Sequence, residues 1–91
     1  MSLPSKAITQ TIVVGNKPLK SYLLDIIVSF NRGIDVVEII GKGKNITRAV
    51  TLYNMLSSRL SDSIHLEGVE IGSVFERGRR ISYIKIRIKR V

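Results

Sequence analysis

The 91-residue sequence contains no cysteine and no tryptophan, one histidine and two prolines. Without cysteine there is no disulfide, no thiol nucleophile and no cysteine-ligated zinc. His65 alone does not make a histidine-based metal site, so neither metal nor any other cofactor is expected. Aromatic residues are only 5%, so the core must be aliphatic, and 14 Ile, 9 Val and 8 Leu supply it. Long apolar runs are missing as well. Lys, Arg, Asp or Glu interrupts each one before the roughly 18 residues that a membrane span requires. Met1 to Lys6 lacks the apolar stretch of a signal peptide, and the chain is expected to stay in the cytoplasm with no membrane partner.

Acidic residues are scarce too. Fifteen Lys and Arg stand against seven Asp and Glu, giving a formal charge of +8. Charge of that size on so small a body creates a positive field that attracts polyanions. The length fits one domain with a thin core, burying roughly 60–65% of the surface of the unfolded chain. Such a domain gains from covering apolar surface with a second copy of itself.

Residues 1–6 read as a flexible lead-in, and residues 7–91 as a single domain. Ala7 to Val14 are β-formers ending at Gly15. Pro18 suits the first turn of a helix, where its missing N–H costs nothing. Leu19, Tyr22, Leu23, Ile26, Ile27 and Phe30 then fall on one helical stripe. Asn31-Arg32-Gly33 closes it, the glycine being free to take a left-handed cap conformation. Ile34 to Ile40 is apolar on both faces, as suits an interior strand. Gly41-Lys42-Gly43-Lys44 is expected to break it, with Asn45 as N-cap of a second helix. Ile46, Ala49, Val50, Tyr53, Leu56 and Leu60 line that helix, Leu52 and Met55 widen the stripe, and Leu52, Met55, Leu56 and Leu60 near its end suggest a second contact surface for a dimer. Ser61-Asp62-Ser63 ends it. Ile64 to Phe75 and Ile81 to Val91 form two long strands, with Gly68 and Gly72 as bulge or bend points and Glu76 to Arg80 as the turn. The order β-α-β-α-β-β gives an α+β two-layer sandwich, a four-stranded mixed sheet with two helices on one face and a protruding basic hairpin.

Three basic segments are candidate contacts for phosphate. The turn Gly41-Lys42-Gly43-Lys44-Asn45 opens a helix, where free N–H groups and the helix dipole favour an anion, and Arg48 adds charge. It lacks the third glycine of a dinucleotide fingerprint and the Gly-Lys-Ser/Thr ending of a P-loop. Its plain alternative is an ordinary turn with solvated lysines. Lys17 and Lys20 flank the other helix start. If the first two strands are parallel neighbours, both turns share one edge of the molecule. Arg77, Arg79 and Arg80 crowd the hairpin tip, where arginine suits a narrow minor groove and bidentate phosphate contact. The alternative is charge that guards an exposed edge against pairing. Lys85, Arg87 and Lys89 read as a solvated strand face, and His65 as a surface residue. Three tyrosines are candidates for stacking single-stranded bases, but Tyr22 and Tyr53 lie on apolar stripes, leaving Tyr83 alone on that basic face. No nucleophile–base set or carboxylate pair stands out, so the chain does not read as an enzyme.

These segments resemble the Alba family, small archaeal chromatin proteins. Val14-Gly15-Asn16-Lys17-Pro18-Leu19 is similar to the family's Gly-Lys-Lys-Pro segment. Gly41 to Val50 resembles its basic turn running into the second helix, and Gly72-Ser73 with the basic hairpin tip completes the match. The resemblance covers the chain from about Ile8 onward. It implies a fold similar to the C-terminal domain of translation initiation factor three, and a homodimer, or a heterodimer with a paralogue. Such a protein coats and condenses double-stranded DNA with little sequence preference, associated with the chromosome, and many members also bind RNA. Two departures bear on regulation and assembly. Asn16 replaces the first of two lysines, an acetylation target in the family, and leaves only Lys17. Leu60 stands where relatives carry an aromatic residue at the contact between dimers.

Three functions follow. The first is an architectural DNA-binding protein. The second is an RNA-binding component of a ribonucleoprotein or translation complex, which uses the same basic residues. The third is an enzyme acting on a phosphorylated substrate at the Gly41–Asn45 turn, which predicts saturable binding of a mononucleotide and turnover, and neither is expected.

Overall fold

The computed structural model describes residues 8–91. The lead-in expected at residues 1–6 and the first residue of the expected first strand lie outside the described residues. The elements run β1 (Thr9–Val13), α1 (Leu19–Asn31), β2 (Val36–Lys42), α2 (Ile46–Leu60), β3 (Ile64–Glu76) and β4 (Arg79–Arg90). Single turns of 3-10 helix, Gly43–Asn45 and Ser61–Ser63, precede and follow α2. The sheet order is β1-β2-β4-β3. β1 and β2 are parallel and the other pairs antiparallel, which is the mixed sheet the sequence implies.

Alternation along the strands decides what the helices cover. Ile12 of β1, Val37 and Ile39 of β2, and Ile84, Ile86 and Ile88 of β4 face both helices and are buried. Against them pack Tyr22, Leu23, Ile26 and Phe30 of α1 and Ala49, Leu52 and Leu56 of α2. Leu52 is fully buried, so it belongs to the core and not to a second contact surface, while Val50, expected inside, is 37% exposed. The reason is angular: α2 turns its Ala49–Leu52–Leu56 line onto β2 and β4, and Val50 rotates outward. Truncating Leu52 to alanine would cost about 2–5 kcal/mol.

β2 extends two residues beyond the expected break, because Gly41 and Lys42 still pair with Ile84 and Tyr83. Gly41 is needed for the packing of α2. A Cβ there would stand 2.4 Å from the Asn45 carbonyl oxygen and 2.7 Å from the Ala49 Cβ. The chain breaks instead at Gly43, where φ is +53°. Asn45 takes the N-cap position of α2 but its side chain makes no capping bond. Pro18 stands just outside α1, and Gly33 closes that helix at φ +97°.

β3 carries one register shift, between Leu66 and Gly68, and none at Gly72. The turn is tighter than expected. Only Arg77 and Gly78 lie outside the strands, both at positive φ (53° and 74°), as in a type I′ hairpin. Arg79 and Arg80 therefore belong to β4. β2 stops opposite Tyr83, so β3 and β4 beyond that point form a free two-stranded arm.

Candidate nucleic-acid interface

Parallel β1 and β2 each lead into a helix at the same end of the sheet, and this sets the site. Neither helix start is capped by a side chain, and neither first turn holds an acidic residue. No Asp or Glu occurs before Asp25, or between Glu38 and Asp62. Helix starts usually attract carboxylates, because free N–H groups and the macrodipole make them positive. Here both starts lack one. Lys17, Lys20 and Lys44 stand exposed at this edge, with Gly43 exposed and Asn45 half-buried between them.

Arg48 has a different place from the one its charge suggests. Its Nε donates to the Gly15 carbonyl oxygen at 3.2 Å, and its Nη2 donates to the carbonyl of Lys17. The first turn of α2 thus grips the loop before α1. That loop is held from its other side by the Gly15 N–H, which donates to the Tyr22 hydroxyl at 2.8 Å. The Lys17 ammonium lies 5.9 Å from the centre of the Tyr22 ring. The two basic turns become one rigid edge.

Lys42 does not share that edge. It ends β2 on the open face of the sheet, where its ammonium pairs with Glu76 at 2.6 Å. Gly43 sits against the root of the arm: a Cβ there would lie 3.6 Å from Ile81 Cγ2. The basic edge therefore continues into the arm. The three arginines diverge. Arg77 forms the turn, Arg79 falls on the open side, and Arg80 lies on the helix side with its guanidinium 5.4 Å from the Phe75 ring centre.

The open face is close to neutral. Arg87 Nη1 lies 3.0 Å from Glu38 Oε2 and its Nε 2.8 Å from Glu67 Oε1. Those two hydrogen bonds, first to Glu67 and then to Glu38, hold its guanidinium above its ordinary pKa. On the strand face expected to be solvated, Arg87 is thus tied by ion pairs, while Lys85 and Lys89 make none among the described residues. The Tyr83 hydroxyl donates to Glu70 Oε2 at 2.5 Å, and this bond raises the phenol pKa above 10.

Sequence reasoning missed one apolar feature. Leu66, Val69 and Ile71 of β3 pair with Ile88, Ile86 and Ile84, so they face the helix side, but no helix reaches them. They are 40%, 52% and 77% exposed, and Phe75 beyond them is 71% exposed. The signal was present as alternation in β3, blurred by the bulge before Gly68.

The sequence profile of the Alba family matches residues 10–73. The chain belongs to the Alba family. It is 42% identical over 87 residues to the DNA/RNA-binding protein Alba 2 of Saccharolobus solfataricus, covering 96% of this chain and 98% of that protein. It is 44% identical, over the same shares, to the Alba 2 of Saccharolobus shibatae. Among solved structures, Alba from Thermoplasma volcanium superposes with a TM-score of 0.80 at 27% identity, over 89% of this chain and all of that one. The family profile spans both helix starts and most of β3. The profile ends at Ser73, where the free ribbon begins. No helix among the described residues is long and apolar enough to cross a membrane.

Proposed function

We propose that this protein is an architectural chromatin protein that coats double-stranded DNA as a dimer, with little sequence preference. The observation that carries the reading is the meeting of two uncapped, acid-free helix starts on one edge that runs on into an arginine-tipped arm. Lys17, Lys20, Gly43, Lys44 and Asn45 are its phosphate-facing residues, and Arg77, Arg79 and Arg80 reach past the body toward a groove. Lys42 joins them when a phosphate displaces Glu76, and Arg48 holds the edge in shape. Contacts of this kind read backbone and groove shape instead of base edges. Its place is then inside the cell, on the chromosome.

The dimer reading is supported by β3. A 13-residue edge strand with an uncovered apolar row is a template for unwanted pairing unless something covers it. A second copy, or a paralogue with the same row, covers it. Leu52 and Leu56 are already in the core and have no part in this.

RNA is the second reading, favoured by relatives whose names describe them as binding both DNA and RNA. The test is a titration of fluorescent duplex DNA and duplex RNA of matched sequence, across a range of salt. It compares wild type with Arg77→Ala/Arg79→Ala/Arg80→Ala. Comparable or tighter binding of DNA, with a shallower salt slope in the variant, supports the chromatin role. Strong preference for RNA moves the protein to a ribonucleoprotein, and no binding at low salt removes both readings.

A further inference from the structure

The open face of the sheet is laid out in register rows. Nearest the arm is Lys42–Tyr83–Gly72, followed by Val13–Ile40–Lys85–Glu70 and then Thr11–Glu38–Arg87–Gly68. Tyr83 is the aromatic residue of this face. A Cβ on Gly72 would stand 2.8 Å from Tyr83 Cε1 and Oη and 2.9 Å from Cζ. The tip of the ring therefore lies over the bare backbone of Gly72. Its rim is fixed by the hydroxyl bond to Glu70 at 2.5 Å. The residue is half-buried, with the tip of its ring on Gly72.

We propose that the ring of Tyr83 is a stacking platform for an unpaired base of a single-stranded nucleic acid. The proposal rests on nucleic-acid binding as the function, and adds a second mode at a site away from the helix starts. Three features support it. The ring is already held in place, so stacking on it orders no side chain. Cations stand near it on the same face: Lys85 two residues along β4 and Arg79 toward the tip, with Lys42, paired to Glu76, beside it in register. The acidic neighbours are engaged, Glu70 by the tyrosine hydroxyl and Glu76 by Lys42 at 2.6 Å. A base inside a duplex has both faces stacked on its neighbours, so this platform selects single strands.

The experiment compares wild type, Tyr83→Phe and Tyr83→Leu on oligo(rU) and oligo(dT) of about twelve nucleotides, a length within the usual site range, and on duplex DNA. Leucine still covers Gly72 but offers no ring. The expected result is a loss of about tenfold in single-strand affinity for Tyr83→Leu, near-wild-type affinity for Tyr83→Phe, and duplex affinity unchanged within twofold. Equal losses on single strand and duplex, or no loss on either, overturn the platform. Photocrosslinking of wild type to 5-bromouridine-substituted RNA is a second reading that needs no variant, and an adduct map without Tyr83 also overturns it. A wild type that binds duplex but no single strand removes the platform alone. One that binds neither removes the function as well.

Discussion

Arg48 holds the carbonyl oxygen of Gly15 from 33 residues away, with its Nε at 3.2 Å. The second helix therefore fixes the loop that opens the first. Arg48→Ala is expected to lower duplex affinity although its guanidinium points inward, and to lower fold stability by about 1–3 kcal/mol. Arg48→Lys keeps the charge without the fork. Its salt slope should match wild type while its affinity is lower, and an affinity equal to wild type would show that the loop needs no clamp.

Gly41→Ala should be among the most damaging single-methyl additions. The new Cβ meets the Asn45 carbonyl at 2.4 Å and the Ala49 Cβ at 2.7 Å, both on the start of α2. Overpacking of this kind costs about 1–3 kcal/mol. Urea unfolding measures it, and an unchanged midpoint would mean that α2 shifts without strain.

Glu76→Gln should tighten duplex binding. It releases Lys42 from a pair at 2.6 Å and removes a negative charge from the arm. Both partners are about two-fifths exposed, so stability should change by less than about 1 kcal/mol. The salt slope should steepen by about one phosphate contact, which a titration from low to moderate salt reads directly.

Ile71→Lys tests the uncovered row on β3. Ile71 is 77% exposed in the isolated chain, so the substitution should leave the fold intact and break the dimer. Sedimentation equilibrium should then give the 10.2 kDa monomer for the variant and twice that mass for wild type. A monomeric wild type at tens of micromolar would remove the dimer from the proposed function.

Tyr83 links the open face to pH. Its phenol pKa is raised above 10, first by the hydrogen bond to Glu70. A raised folded-state value means that the protonated ring stabilises the fold below the unfolded-state pKa. That contribution disappears as pH climbs through the folded-state value. The difference between ultraviolet titrations of wild type and Tyr83→Phe isolates this group. In Glu70→Ala its ionisation should move down toward 10.

Much of the fold was legible in the sequence because period and punctuation agreed. The α1 stripe from Leu19 to Phe30, the Gly33 stop and the Ile84–Ile86–Ile88 alternation all appear where the chain puts them. The errors arose where one residue type serves two ends. Gly41 reads as a strand breaker, but it is a strand residue on which α2 rests. Leu52 reads as surplus apolar surface, because helical phase alone does not say which of two adjacent stripes meets the sheet. Charge was legible as an amount but not as an arrangement. Lys42 and Arg48 are as basic on paper as Lys44, and only their partners, Glu76 and the Gly15 carbonyl, set them apart.

The division of charge between the two sides has a kinetic consequence. Glu38, Glu67, Glu70 and Glu76, four of the seven acidic residues, make their contacts on the open face, while the helix-start edge has none. The molecule is thus an electric dipole as well as a cation. In the field of a polyanion it should experience a torque before contact, and most collisions are expected to begin with the helix starts turned inward. Association should then be fast at low salt and slow steeply as screening shortens the reach of that torque. Moving a carboxylate from the open face to the helix-start edge would slow arrival more than it loosens the bound state.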